Sequence, residues 1–182
     1  MAIKIRFAKL NNTIQAHKSN YRLALTCWRQ SVVFGLLWGC FLAIHSVGKL
    51  YWSGWQEPSA IWQLALLMFV GTSIGGAFGW FFSIWFSAHR IAPKRFAASF
   101  VLILIITVGT TALLFALQYR LYYSQWHMPA FSIGWFFQLL FTGLSALYLF
   151  AVQGLRLLLP FAPVGLIIAA ILFARLGPQN PK

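Results

Sequence analysis

Few side chains of this chain could carry out acid–base, metal or redox chemistry. Its 182 residues contain one acid, Glu57, against 14 lysines and arginines. Metal binding and general acid–base catalysis usually draw on carboxylates, and coupled ion transport relies on an Asp or Glu within the membrane. Glu57 alone cannot supply these groups. The sequence therefore predicts no enzyme, no metal and no cofactor, and it disfavours coupled transport.

The histidines are the remaining candidates, at positions 17, 45, 89 and 127. A haem in a helical bundle needs two histidines at similar depth on facing helices. His45 is the only one within a long apolar run, so a haem or quinone site beside it is the less favoured interpretation. We expect His45 to be a buried polar group bonded to a neighbouring helix. It is also the best candidate for a functional ionisable residue inside a membrane.

The composition indicates lipid as the solvent of the chain. It is 60% hydrophobic and 8% charged, whereas soluble domains are about 25% charged. The formal net charge of +13 has two interpretations, a nucleic-acid partner or a bilayer with anionic headgroups. Nucleic-acid binding requires basic residues on a folded polar domain, which this sequence lacks. We therefore expect anionic lipid headgroups and no nucleic acid.

The apolar runs predict an all-α polytopic transmembrane helical bundle. A bilayer core requires about 20 apolar residues in a helix. Four segments meet this length, and a fifth contains Pro160 and Pro163, which would kink its start. We favour a fifth crossing over a re-entrant or interfacial helix. The predicted spans are 32–51, 61–88, 96–119, 131–152 and 157–174, between a basic segment 1–31 and a short tail 175–182.

The distribution of basic residues predicts the orientation. Along these spans, ten basic residues lie on the side of the N-terminus and four on the other side. The positive-inside rule then places the N-terminus in the cytoplasm, with the chain in the inner (cytoplasmic) membrane. The basic N-terminal segment is either an interfacial helix or a solvated tail. The residues expected at the headgroups are Arg22, Arg29, Arg90, Lys94 and Arg95.

Two rows of small residues at four-residue spacing predict helix-packing faces. The second span contains Gly71, Gly75 and Gly79, and the first contains Gly35, Gly39 and Ala43. Residues four apart share one helix face, so each row forms a flat groove that another backbone can approach closely. The rows could dock another subunit or a second copy of the chain. They could also pack the first span against the second, which is the favoured interpretation.

The closing stretch carries a resemblance to a known class of membrane proteins. Leu147–Phe150, Arg156–Pro160 and Val164–Leu166 resemble the last membrane hairpin of membrane proteins from integrating conjugative elements. The resemblance is confined to this stretch and identifies no functional residues. It implies the alternative of an accessory protein of a conjugation or secretion apparatus.

The sequence as a whole favours a structural or accessory subunit of a larger inner-membrane assembly. Short loops, glycine rows and the lack of a soluble domain all support this interpretation, with other membrane subunits or a second copy as partners. The alternative is a small pore or carrier for an uncharged or anionic solute, because basic residues without acids suit anions.

Overall fold

A computed structural model describes the backbone of residues 2–87 and 90–176, and the side chains of residues 26–87 and 90–175. The side chain of Arg22 and most of the tail 175–182 therefore lie outside the described residues. Every regular element in the described ranges is helical. The main helices are α1 (Ala2–Trp52), α2 (Pro58–Ser87), α3 (Ala92–Tyr123), α4 (Ile133–Leu149), α5 (Leu155–Leu158) and α6 (Phe161–Leu176).

Local sequence signals explain where several helices begin. Pro58 is the first residue of α2, a position where the missing N–H of proline costs nothing. Pro93 occupies the first turn of α3 in the same way. The side chain of Ser132 caps α4 by accepting a hydrogen bond from the backbone N–H of Trp135. One 3₁₀ turn follows α3, and one π-helical turn, Phe150–Gly154, joins α4 to α5.

Four helical stretches are long and apolar enough to cross a membrane, which indicates a multi-pass membrane protein. They are Thr26–Trp52, Pro58–Ser87, Ala92–Trp126 and Ile133–Leu158. The fourth stretch comprises α4, the π-helical turn and α5 without a break. The predicted fifth span corresponds to α6, which is a shorter apolar helix, and its crossing of the membrane stays a prediction.

Helices α1, α2 and α3 form an up-down-up core. Gly71, near the middle of α2, packs against Thr111, and Gly79, two turns further on, packs against Ile103, so α2 and α3 are antiparallel. We call the end of the core where α1 ends, α2 begins and α3 ends the Trp52 end. The opposite end, where α2 ends and α3 begins, is the Arg95 end.

Helix α6 packs antiparallel to α3, whereas α4 contacts α3 near the Trp52 end. Phe173, in the last turn of α6, lies against Arg95 at the start of α3. Phe150, just after α4, has its ring centroid 6.0 Å from that of Phe115. The buried core between these helices contains Trp38, Leu42, Met68, Ile103, Phe150, Leu158 and Leu166.

Candidate functional site: a cationic cavity beside a helix break

The chain breaks its helix between α5 and α6, and the break exposes backbone carbonyls. In a continuous helix the carbonyl of Arg156 would accept the N–H of residue 160. Residue 160 is proline, which has no N–H. Leu159 has an extended backbone with φ −83° and ψ 148°. Its carbonyl therefore does not point along the helix and has no intrahelical N–H donor. Both carbonyls therefore need donors from elsewhere in the fold.

Lys49 on α1 supplies these donors. Its Nζ donates to the carbonyl of Arg156 and, at 2.5 Å, to the carbonyl of Leu159. His45, one turn earlier on α1, has Nε2 3.4 Å from the same Leu159 oxygen. A cation at a helix C-terminus also interacts favourably with the helix dipole. The sequence-predicted candidate His45 is only partly buried, against the expectation of a buried group, because it lies beside the backbone break. Lys49 is the main donor there.

A cavity of about 560 Å³ opens beside this break at the Trp52 end. Its lining includes two cationic side chains, Lys49 and Arg156, and no carboxylate. Arg156 is exposed, and its guanidinium makes no hydrogen bond within the described residues. The sequence-based count includes Arg156 on the side of the N-terminus, whereas the structure places it beside Lys49 at the Trp52 end. The remaining lining residues are Leu50, Ser53, Trp55, Leu64, Met68, Phe115, Val152, Gln153, Gly154 and Leu157. The arrangement can bind an anion, and it offers no acid–base pair.

A second, apolar cavity of about 280 Å³ is lined by the other face of α5. Trp38 and Thr107 both line it, and Trp38 Nε1 donates to Thr107 Oγ1 at 3.3 Å. This hydrogen bond joins α1 to α3. The rest of the lining is almost entirely aliphatic, with Leu42 and Leu166 at its sides.

The glycine row of α2 is occupied by α3. A Cβ added to Gly75 would lie 2.5 Å from Thr107 Cα, and one added to Gly71 would lie 2.9 Å from Thr111 Cα. At Gly79 the added Cβ would lie 2.8 Å from Ile103 Cα. These distances are too short for a side chain. The row therefore packs α2 against α3, and it leaves no groove for another subunit.

The small residues of α1 pack on a different face of α2. A Cβ at Gly35 would lie 2.5 Å from the Ser73 carbonyl oxygen, and one at Gly39 would lie 2.9 Å from the Phe69 carbonyl oxygen. Ala43, the last of this row, is partly buried. The two rows therefore do not meet each other, because the row on α1 contacts a side of α2 that carries Ser73 and Ala77.

The basic residues predicted at the headgroups divide into two groups. Arg29, Arg90 and Lys94 are exposed. Arg95 is only 3% exposed, so its guanidinium does not face the headgroups as expected. It donates to the carbonyl of Phe173 at 3.1 Å and lies over the Phe173 ring. The reason is position, since α6 packs against the first turn of α3 and covers this side chain.

Polar side chains between the core helices bond mainly to backbone within the core. The hydroxyls of Ser46, Thr72 and Thr111 each donate to the carbonyl four residues earlier in their own helix. The single O–H of Thr110 is shared between the carbonyl of Ile106, at 2.7 Å in its own helix, and that of Gly71 on α2, at 3.0 Å. These bonds satisfy the hydroxyls locally, which is typical of packing residues in membrane helices.

Comparison of the chain with known protein families, curated proteins and solved structures finds no match. Sequence reasoning did not predict the cavity at Lys49 and Arg156. The available signal was Pro160, because it leaves the Arg156 carbonyl without a helical donor and so requires one from another helix.

Proposed function

We propose that the chain is an accessory subunit of a larger membrane assembly, located in the cytoplasmic membrane with its N-terminus in the cytoplasm. The proposed role involves no catalysis. The observation that carries it is an apolar groove on α4. This groove replaces the glycine rows of α1 and α2 as the docking face, because those rows are covered within the chain.

The groove on α4 has a volume of about 300 Å³ and a glycine in its lining. A Cβ added to Gly143 would meet nothing within 4 Å, and Ala146 is the only buried residue of α4. In lipid, helices associate through close backbone approach at small residues rather than through hydrophobic burial. Large side chains flank the glycine in a helical pattern, namely Phe136, Leu139, Leu140, Leu144 and Leu147. We infer that a transmembrane helix of a partner subunit occupies the groove.

The substitution Gly143→Leu tests this proposal in native membranes. It would fill the groove while leaving the fold intact, because the site is open. Co-purification of partner subunits in a mild detergent should fall by about tenfold, as expected for the loss of a central packing contact. Gly109→Leu is the matched control, since Gly109 is a helical glycine of α3 that also has open space around it.

Two results would count against the proposal. One is a lone monomer with no co-purifying protein from native membranes. The other is a complex that contains only copies of this chain and survives Gly143→Leu unchanged. Mass spectrometry of the intact complex distinguishes partner subunits from self-association in a single measurement.

The second candidate function is a carrier or pore for an anionic solute. The cavity with Lys49 and Arg156 favours it, because two cations and no carboxylate line it. Among the residues that the structure describes, the tight α2–α3 contact and the locally bonded hydroxyls of Thr72 and Thr111 leave no polar path between these two helices. This candidate would be supported if anion flux into proteoliposomes falls with Arg156→Gln. It would be excluded if the flux of the unmodified protein equals that of empty liposomes.

The proposed orientation is testable on its own. The connection between α2 and α3 with Arg90, and the first turn of α3 with Lys94, should face the cytoplasm, and Trp55 should face the opposite side. Single cysteines placed at Lys94 and at Trp55, in a background with Cys27 and Cys40 replaced by serine, should react with an impermeant reagent from opposite sides. Labelling of both positions from one side would contradict the proposed topology.

A further inference from the structure

The cavity at the Trp52 end carries positive charge that the described residues do not neutralise. The ammonium of Lys49 has three N–H donors and uses two of them to bind the carbonyls of Arg156 and Leu159. The Arg156 guanidinium has five donors and uses none of them within the described residues. The only acid of the chain, Glu57, is exposed and does not line the cavity. Cations beside an apolar environment are costly unless an anion accompanies them.

The cavity is amphipathic along the direction of the helices. Lys49, Ser53 and Trp55 lie at or near the end of α1 and in the loop that follows it. Leu64 lies six residues into α2, or about 9 Å along the helix, and it lines the cavity together with Phe115. The cavity thus has a cationic rim, which lies next to the indole of Trp55, and it has an apolar floor. Tryptophan is typical of the headgroup level of a bilayer.

We propose that this cavity binds the phosphate of an anionic phospholipid from the leaflet at the Trp52 end. Arg156 binds the phosphate through its planar pair of N–H donors, which match phosphate geometry. Lys49 contributes its remaining N–H, and the glycerol and upper acyl carbons lie against Leu64 and Phe115, which are both partly exposed. The cavity volume of about 560 Å³ is in the range of small-ligand sites. This site is separate from the groove on α4 and does not depend on the proposed function.

Native mass spectrometry of the full-length protein in mild detergent tests the site. Phosphatidylglycerol should bind at least about tenfold more tightly than phosphatidylcholine, because the latter carries no net charge for the two cations to balance. Arg156→Gln should weaken phosphatidylglycerol binding by about tenfold, the usual effect of losing one charge-assisted contact. Arg90→Gln, which removes one exposed arginine outside the cavity, should leave the binding unchanged.

The outcomes separate lipid from free phosphate. Inorganic phosphate at millimolar concentration should not displace phosphatidylglycerol, because it lacks the contacts with the apolar floor. If inorganic phosphate alone binds as tightly as the lipid and displaces it, the cavity is a site for free phosphate. That result would overturn the assignment to a lipid. Equal binding of both lipids, or equal effects of Arg156→Gln and Arg90→Gln, overturns the site itself. Gly143→Leu should keep full lipid binding, so failure of this site and failure of the docking groove are distinguishable.

Discussion

The ammonium of Lys49 donates to the carbonyl of Leu159 at 2.5 Å, across 110 residues of sequence. At the other end of α6, Arg95 donates to the carbonyl of Phe173 at 3.1 Å. Both carbonyls lie beside a helix end, where intrahelical donors are missing. The segment that contains α6 is therefore held at both of its ends by a cation from the three-helix core. Two side chains that look like topology signals in the sequence are bound to backbone in the fold.

Replacing Lys49 with methionine should destabilise the protein. Methionine keeps most of the length of the side chain but leaves the Arg156 and Leu159 carbonyls without their donor. A hydrogen bond to a charged group contributes about 1.5–3 kcal/mol, so we expect a loss of free energy of unfolding in that range. Unfolding by SDS titration from a mild detergent measures it. Lys94→Met, at an exposed lysine, is the control, and equal stability of the two variants would contradict the capping role.

Replacing Arg95 with leucine should loosen the end of α6 more than it lowers global stability. The change removes the bond to the Phe173 carbonyl, but it also removes a buried Nε that has no partner. Losing one charged hydrogen bond lowers the free energy of unfolding by about 1–3 kcal/mol, and removing one unpaired buried donor raises it by a similar amount. The two effects largely offset each other. Hydrogen exchange in the last turn of α6 should become faster, whereas Arg90→Leu should not change it. Unchanged exchange in Arg95→Leu would contradict this interpretation.

Glycine-to-alanine changes should have opposite effects at two positions in neighbouring helices. Gly75→Ala places a methyl group 2.5 Å from Thr107 Cα, so α2 and α3 must separate, at a cost of about 1–3 kcal/mol. Gly109→Ala adds a methyl group in open space and should stabilise α3 by up to about 1 kcal/mol, because alanine is the better helix former. SDS titration of both variants checks the sign of each change. Similar stabilities would show that the α2–α3 contact is looser than described.

The hydrogen bond between Trp38 and Thr107 should be measurable by a double-mutant cycle. Trp38→Phe and Thr107→Val each remove one partner of the 3.3 Å bond. Hydrogen bonds between membrane helices contribute about 0.6 kcal/mol on average and up to about 1.7 kcal/mol, so we expect a coupling energy in this range. A coupling energy of zero would mean that the two side chains are neighbours without a stabilising bond.

The helical class and the four long spans follow from hydropathy, and the structure agrees on both. Span limits shift by a few residues, as at the fourth stretch, which ends at Leu158 rather than at residue 152. The reason is the segment around Gly154, which looks like a link between two spans. In the structure it continues the helix as a π-helical turn, because a single glycine weakens a helix without ending it.

The partners of each small-residue row could not be read from the sequence. Spacing shows that Gly71, Gly75 and Gly79 share one face of α2, but it does not show which helix covers that face. Arg95 presents the same difficulty. An arginine in a basic turn next to a span is usually a headgroup residue, and only the position of α6 reveals that it is buried. The partner of a small-residue row and the burial of Arg95 both depend on which helices lie side by side. The periodicity of a sequence does not contain this information.

The indole of Trp38 contacts three neighbouring helices at one level of the core. It lies against Gly76 of α2 and Gly165 of α6, and it bonds to Thr107 of α3. Any axial rotation of α1 would have to withdraw this ring from all three helices together. Trp38 therefore couples α1 to α2, α3 and α6, whereas the end of α4 packs against α3 through Phe150 and Phe115. Spin-label distances between α1 and α3 should accordingly form a narrow distribution.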